Sequence, residues 1–502
     1  MIGKRILALF VAAVMAISVL VACQKENNAG TSSPGKAALT MTETTAGAAE
    51  VKKPQAIKIW TATFIVPEAG RDQILAEYKK QTGIALEVNQ PAYNQYYDLL
   101  NLAFASGDVP DAVEMDDQHY LSYAVQGGLA DVAQLVDSSA TLQRADKSIV
   151  DSLKVDGKLY GFPFNNGGGC ETMIREDWLK NLGLSIPTTY EEFYELLKKF
   201  TFNDPDKNNK DDTVGYTGVL VAGNKLQDQY LRFFYWKASP DFHQVDGKWI
   251  DGFAQQDFMD ALMRLNKAYK DKVLDQELFT NKTSTCRDKI AAGKAGVMSY
   301  WANYWLKRLE DSITQTSAPN GSLAPIAPIK EAGYVNSVPY STAITSKCKN
   351  VEGVFKYFIE YMHDGGKGQD LFCFGVENVH WQMKDGKAEM LPLLNNPEQL
   401  FDKVYFSVDA ALMPFENPLV PLNSRTVLAN KVFFDSGYEQ QHIFPASETY
   451  VKNMSDIDKL RQEIASKIII GDLSPEQGLQ QYKTEAGKLG VDKILAEFNT
   501  AK

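Results

Sequence analysis

A chain of 502 residues carrying 63 acidic against 52 basic side chains, for a formal charge of −11, is a poor partner for nucleic acid. With 44% hydrophobic and 11% aromatic residues it can bury substantial cores, and its length exceeds what one core holds, so two lobes are expected. Five widely spaced cysteines without a CxxC pair lack zinc-site spacing and leave disulfides and free thiols both open.

At the N-terminus, Lys4 and Arg5 precede an apolar run from Ile6 to Val21 that ends in Leu20-Val21-Ala22-Cys23. The run is shorter than the roughly 20 residues of a stable membrane span, and its charged start and small-residue end have the form of an export signal. Leu-Val-Ala-Cys resembles the lipobox of bacterial lipoproteins. That resemblance implies cleavage before Cys23, acylation of its thiol, and a lipid anchor on the extracytoplasmic face of the cell membrane. Loss of residues 1–22 removes Lys4, Arg5 and no acid, which moves the charge from −11 to −13. Residues 23–54, rich in Ala, Gly, Ser, Thr and Lys, show no apolar periodicity and are expected to form a flexible tether. No cluster of basic residues suggests lipid-surface binding beyond the anchor.

The body then alternates strands and helices. Ala56–Trp60 alternates as a strand, and Glu68 to Gln81 carries Ile74, Leu75 and Tyr78 on one helical face before Gly83. Ile84–Val88 is a second strand, and Asn94 to Ala105 a helix with Tyr97, Leu100 and Phe104 aligned. Ala112–Met115 is a third strand. This β-α-β-α-β order specifies a mostly parallel sheet flanked by helices, and ligands in such sheets sit beyond the carboxyl ends of the strands. Asp116, Asp117, His119 and Tyr120 are therefore candidates to line a cleft.

The run Leu102–Asp116 (LAFASGDVPDAVEMD), then Gly127–Val136 (GGLADVAQLV) and Val155–Phe164 (VDGKLYGFPF), is similar in order and spacing to the extracellular solute-binding proteins of carbohydrate ABC transporters. Met173 to Gly218 resembles the oligosaccharide-binding branch of that family, whose members carry a calcium loop. Phe374–Lys387 (FGVENVHWQMKDGK) resembles the same branch's G-x-E-x-x-H/Y segment. The resemblance, from about residue 57 to the C-terminus, implies a two-lobe α/β fold of the type II periplasmic-binding-protein kind. Each lobe would be a mostly parallel sheet flanked by helices, the second helix-rich. The expected boundaries are 55–164 plus about 290–347 for the first lobe and 165–289 plus about 348–502 for the second. It also implies a monomeric substrate-binding lipoprotein that captures an oligosaccharide by lobe closure and delivers it to a membrane permease.

The loop Asp204-Pro-Asp-Lys-Asn-Asn-Lys-Asp-Asp212 places oxygen side chains at positions 1, 3, 5 and 9 (Asp204, Asp206, Asn208, Asp212), with the Lys210 carbonyl at position 7. That is an EF-hand-like ligand order for structural Ca2+. Position 6 is Asn209 rather than Gly, and position 12 is Gly215, so the bidentate Glu is missing. The family draws a further ligand from the residue after position 9, here Thr213. A solvated Asx-rich turn is the alternative.

Sugar pockets combine aromatic platforms with planar polar groups. Two aromatic clusters stand out: Ser299–Trp305, with Tyr300 and Tyr304 placed on one helical face and Trp301 and Trp305 on the next, and Phe233–Trp236. Tyr300, Trp301, Trp305 and Trp236 are the ring candidates. Asn165-Asn-Gly-Gly-Gly-Cys-Glu171 reads as a hinge, with Asn165, Asn166 and Glu171 facing the cleft. The family segment adds Glu377, His380 and Trp381. Arg175, Asp177 and Trp178 read as an ion pair and packing at a helix start. Nucleophilic triads, HExxH and Walker sequences are absent, so no catalytic activity is expected. A carbohydrate-cleaving lipoprotein and a receptor for a peptide or other polar solute are the alternatives.

Overall fold

The computed structural model describes residues 51–501, apart from 64–66, 93–94, 166, 224 and 396–422. The export signal, Cys23 and nearly all of the expected tether lie outside the described residues, as does Asn166. The last residues of the expected tether rest on the body: the Lys52 carbonyl accepts from Asn350 Nδ2 (2.7 Å), and the Lys53 ammonium sits over the Tyr357 ring. Among the described residues no helix is long and apolar enough to cross a membrane.

Strands β1 (Ala56–Trp60), β2 (Ala85–Asn89) and β3 (Ala112–Met115) alternate with helices α1 (Arg71–Thr82) and α2 (Tyr96–Ser106), and α3 (Asp117–Val125) follows β3 directly. Gly83 and Gly107 end α1 and α2 with φ of 74° and 78°, left-handed values that only glycine adopts at no steric cost. After β4 (Gly161–Pro163) the chain enters β5 (Cys170–Arg175), α4 (Tyr190–Phe202), β6 (Val214–Tyr216), α5 (Gln256–Lys270) and α6 (Thr283–Ala291). It continues through β7 (Ala295–Trp301), α7 (Trp305–Thr316), β8 (Leu323–Ile326), β9 (Tyr334–Asn336) and β10 (Ser341–Ile344). The last labelled elements are α8 (Lys367–Phe374), α9 (Ser424–Asp435), β11 (Tyr438–Gln440) and α10 (Glu448–Ile470).

Two sheets define two lobes. The first runs β2-β1-β3-β10-β4, with the β1, β2 and β3 pairings parallel and β10 antiparallel to its neighbours. The second runs β8-β5-β7-β6, where only the β7–β6 pairing is parallel. In each sheet the reversed strand, β10 or β5, is the one that arrives from the other lobe, so the second sheet is mixed where a mostly parallel one was expected. The strands also correct the expected boundaries. β7 and β8 pair with β5 and belong to the second sheet, whereas β10 belongs to the first. The segment after β10 packs on the first lobe, with Phe372 of α8 edge-on to Tyr78 of α1 at 6.0 Å. Residues 290–347 are therefore divided between the lobes, and 348–374 returns to the first.

In the first lobe Ile57, Ile59 and Val113 of the sheet meet Ile74 and Tyr78 of α1 and Leu100 of α2, all buried. In the second, α4 presents Phe193, Leu196, Leu197 and Phe200 to one side of the sheet, each fully buried side chain contributing about 1.5–3 kcal/mol. Cys286 and Ile290 of α6 and Leu306, Leu309 and Ile313 of α7 form a separate core with Met173 and Met298. Thr189 caps α4 by accepting from the Glu192 N–H (3.3 Å). Helices α5 and α10 extend this lobe, locked by Asn266 Nδ2, which donates to the Ile468 and Ile469 carbonyls at 3.0 Å. Among the described residues Cys170, Cys286 and Cys348 are free thiols, and Cys373 is buried.

The lobes join along a narrow seam. Gly167 and Gly168, at φ 82° and 77°, carry the β4–β5 crossing, and Ser337 N–H donates to the Gly168 carbonyl at 2.9 Å. A Cβ on Gly167 would stand 2.0 Å from the Ser337 carbonyl oxygen, so the close approach of the two crossings requires glycine. β9 and β11 pair in parallel beside them, and Ile443 N–H bonds the Ser152 carbonyl of the first lobe before the chain enters α10.

Candidate functional site

Between the sheets lies a cavity of about 1670 Å³ whose lining comes from both lobes and the seam. That exceeds the roughly 300–1,000 Å³ typical of small-molecule pockets. The first lobe contributes the β1–α1 loop and the start of α3. Glu114, buried at the end of β3, accepts at Oε2 from Thr61 Oγ1 (2.5 Å), Ala62 N (3.0 Å), Thr63 N (3.1 Å) and Thr63 Oγ1 (2.8 Å), fixing the loop that forms one lip. Burial pushes its carboxyl up, and these donors oppose the shift. Asp116 caps α3, its Oδ1 accepting from His119 N and facing His119 Nδ1, both at 2.8 Å, and it lines the cavity. His119 in turn stacks on Tyr97 at 3.6 Å.

The second lobe contributes Asp228, Gln229, Tyr230, Arg232, Thr283, Arg287, Tyr300 and Trp301. Tyr300 is mostly buried, stacked on Tyr230 at 5.9 Å, with its hydroxyl taking a 2.5 Å hydrogen bond from Arg287 Nη1. Trp301, the last residue of β7, is half-buried and stands beside the hinge, 3.9 Å from where a Gly168 Cβ would lie. The lobes touch where Gln118 Nε2 of α3 donates to Asp458 Oδ2 of α10 at 3.4 Å. Behind that contact Lys225 pairs with Asp241 (3.0 Å), and Asp241 with Arg461 (2.9 Å). Burial would raise the Asp241 carboxyl, but Lys225 and Arg461 outweigh it and hold it below its usual range. Asp458 is pushed up to about 6 by burial and by the charge of Asp241.

Of the residues expected to line the cleft, the structure brings Asp116, Asp117, Asn165, Tyr300 and Trp301 together at this cavity. The other described candidates stand elsewhere for identifiable reasons. Tyr120 sits one turn into α3, fully buried, with its hydroxyl accepting from Tyr160 N–H at 2.6 Å. Glu171 is fully buried, and among the described residues neither carboxylate oxygen has a hydrogen-bond partner. Burial, only partly offset by Arg425, pushes its carboxyl up to about 9. Trp305 is core, because Ser299–Trp301 ends strand β7 and the helix starts only at Trp305, so the expected helical faces do not exist. Phe233, Phe234 and Tyr235 are also core, and Trp236 lies against Arg264 (3.8 Å) and Tyr190 away from the cavity. Glu377 is exposed outside the cleft. Trp381 is nearly buried, donating to the Gly375 carbonyl at 3.2 Å. His380 is buried, with Nε2 2.7 Å from the Ala69 carbonyl and Nδ1 accepting from Val376 N–H at 2.8 Å. It supports from behind the turn whose Glu68 and Arg71 line the cavity. Arg175 chelates Asp177 through Nε and Nη2 (2.8 and 2.6 Å) and lies over Trp178, the expected ion pair and packing.

Sequence reasoning missed Arg71, Asp228, Tyr230 and Arg287. Asp228 and Arg232 form an i,i+4 ion pair at 2.6 Å, a local signal that was available. Nothing local marks Arg287, which reaches the cavity because α6 packs beside β7.

In the loop 204–213, Asn208 Nδ2 bridges Asp206 Oδ2 (2.8 Å) and Asp212 Oδ1 (3.2 Å), and Asp204 Oδ1 accepts from Asn208 N at 2.9 Å. Burial and the neighbouring Asp204 and Asp212 push the Asp206 carboxyl up. This crowding of hard oxygen donors fits a divalent cation, although among the described residues no three acidic, His or Cys side chains form a ready-made cage. Asn209 takes φ 61°, the turn that glycine usually supplies at position 6. Thr213 departs from expectation: its hydroxyl donates to the Phe200 carbonyl at 2.8 Å and tethers the loop to α4.

Residues 61–362 match the family model for the bacterial extracellular solute-binding proteins. The chain is 25% identical over 463 residues to Lipoprotein LipO of Bacillus subtilis (strain 168), covering 87% of this chain and 90% of the relative. It is 23% identical over 478 residues to the polygalacturonan/rhamnogalacturonan-binding protein YtcQ of the same organism, covering 88% and 91%. Among solved structures it resembles the alginate-binding protein AlgQ2 without calcium ion, with a TM-score of 0.68 and 22% identity over 90% of this chain and 98% of that one.

Proposed function

The chain belongs to the bacterial extracellular solute-binding proteins, and from that membership we propose that it captures an oligosaccharide between its lobes and hands it to the permease of an ABC transporter. The observation that carries this reading is the interlobe cavity of about 1670 Å³ with Trp301 and the Tyr230–Tyr300 stack on one wall and the Glu114-braced lip and Asp116 on the other. A ligand touching both walls stabilises the closed arrangement by its differential contacts, and the glycine crossing at 167–168 is where the backbone turns. Aromatic faces suit sugar C–H surfaces, while Gln229, Asp228, Asn165 and Asp116 suit hydroxyl groups. The polysaccharide-binding descriptions of YtcQ and AlgQ2 agree with a glycan ligand.

The role is binding without bond cleavage. Calorimetric titration with a panel of oligosaccharides, followed by chromatography of the mixture, tests it: saturable stoichiometric binding with recovered ligand is expected, and appearance of shortened products refutes it.

The same reading makes Cys23 a lipid-bearing residue on the extracytoplasmic face of the membrane. Incorporation of an alkyne-tagged fatty acid by the wild type but not by Cys23→Ala tests this. It also gives the loop 204–212 a structural calcium, held by Asp204, Asp206, Asn208, Asp212 and the Lys210 carbonyl. The ion would neutralise the crowded carboxylates and stiffen the loop beneath α4. The chain is read as a monomer, checked by light scattering.

A further inference from the structure

We propose that Arg287 makes the second-lobe wall of the cleft selective for a carboxylate-bearing sugar unit, so that the oligosaccharide captured is an acidic one. The inference rests on the oligosaccharide reading and narrows it. Arg287 lies on α6, half-buried, and lines the cavity beside Thr283, Tyr300 and Trp301. Its guanidinium lies against the rings of Tyr300 (5.6 Å) and Trp305 (4.8 Å) and is fixed in orientation by the 2.5 Å bond from Nη1 to the Tyr300 hydroxyl.

The neighbouring cations are matched to carboxylates: Lys225 to Asp241 at 3.0 Å, Arg232 to Asp228 at 2.6 Å, and Lys289, also on α6, to Asp275 at 2.6 Å. Arg287 has, among the described residues, a neutral phenol as its hydrogen-bond partner and no carboxylate at ion-pair distance. In a chain with an excess of acids, 63 against 52 basic residues, that is a conspicuous omission.

The consequence follows from lobe closure. While the cleft is open, water solvates the unused N–H groups of Arg287. Closure around a ligand removes that water, and an arginine left without a counter-ion in a drier site costs free energy. A neutral sugar offers only hydroxyl dipoles in return. A carboxylate supplies the missing charge and two coplanar acceptors that match the guanidinium edge not occupied by Tyr300. Trp301, adjacent in the lining, is placed for the C–H face of the same sugar unit. An anion therefore favours the closed state more than a neutral ligand of equal size.

The test is calorimetric titration of the purified protein with uronate trisaccharides (galacturonate, mannuronate and glucuronate-containing), their methyl esters, neutral trisaccharides and a sulfated trisaccharide. Wild type, Arg287→Gln and Arg287→Lys are compared, with folding verified by thermal melting. The expected result is one uronate bound about tenfold or more tighter than its methyl ester. Arg287→Gln should bring the ratio of acid to ester affinity below about twofold, whatever the change in overall affinity, and Arg287→Lys should retain part of the preference. Equal binding of acid and ester, a preference that survives in Arg287→Gln, or selective binding of the sulfated sugar overturns the assignment. Tight binding of neutral oligosaccharides alone overturns this inference and leaves the oligosaccharide reading intact. Failure of every glycan to bind overturns both.

Discussion

Glu171→Gln should make the protein more stable at neutral pH, against the usual effect of altering a buried residue. The Glu171 side chain is fully buried in β5, neither carboxylate oxygen has a hydrogen-bond partner among the described residues, and burial raises its pKa from an ordinary value near 4.5 to about 9. Between those values the folded chain keeps a proton that the unfolded chain has released. Unfolding free energy therefore falls as pH rises through that window, by about 1.4 kcal/mol per pH unit. At pH 7.5 this amounts to about 4 kcal/mol lost relative to pH 4.5 or below. Glutamine has nearly the same shape and no proton to lose, so it removes that dependence while keeping a buried polar group. Urea unfolding of wild type and variant at pH 5 and pH 7.5 is the assay. The two should be within about 1 kcal/mol at pH 5, with the variant ahead by several kcal/mol at pH 7.5. A difference between the proteins that does not grow with pH, or a variant that is the weaker at pH 7.5, refutes the argument that Glu171 is an unpaired acid held neutral by burial.

Gly167→Ala forces a Cβ to within 2.0 Å of the Ser337 carbonyl at φ 82°. It should cost roughly 1–3 kcal/mol and blunt ligand-induced compaction measured by small-angle scattering; an unchanged melting curve and full compaction would contradict the hinge assignment. Trp301→Ala should leave the half-buried site folded while weakening oligosaccharide affinity by about tenfold, read by calorimetry, and an unaltered Kd would remove Trp301 from the binding wall. Calcium should raise the melting temperature of the wild type and excess EDTA lower it, with Asp206→Asn abolishing the response. Melting curves insensitive to both would show the 204–212 loop to be a plain turn.

Local pattern carried a great deal. The alternation of Ala56–Trp60, the apolar face of α4 and the glycines closing α1 and α2 are all readable in short windows, because backbone geometry and one-sided burial repeat with a fixed period. The same locality placed Asp116 at the end of β3 and marked Gly167 and Gly168 as a crossing. It failed where a residue's role depends on what lies across from it. β7 pairs with β5 rather than joining the first sheet, and that pairing turned Tyr300 and Trp301 from a helical stripe into a strand end at the cleft while sending Trp305 into the core. Glu171 and Glu377 look alike as hydrophilic acids beside glycine-rich segments, yet one is sealed in the second lobe and the other exposed. Arg287 met Tyr300 only because α6 packs against β7. A periodic pattern records that a face is covered but not which distant segment covers it, so the cleft and its charges belonged to the crossings between the lobes.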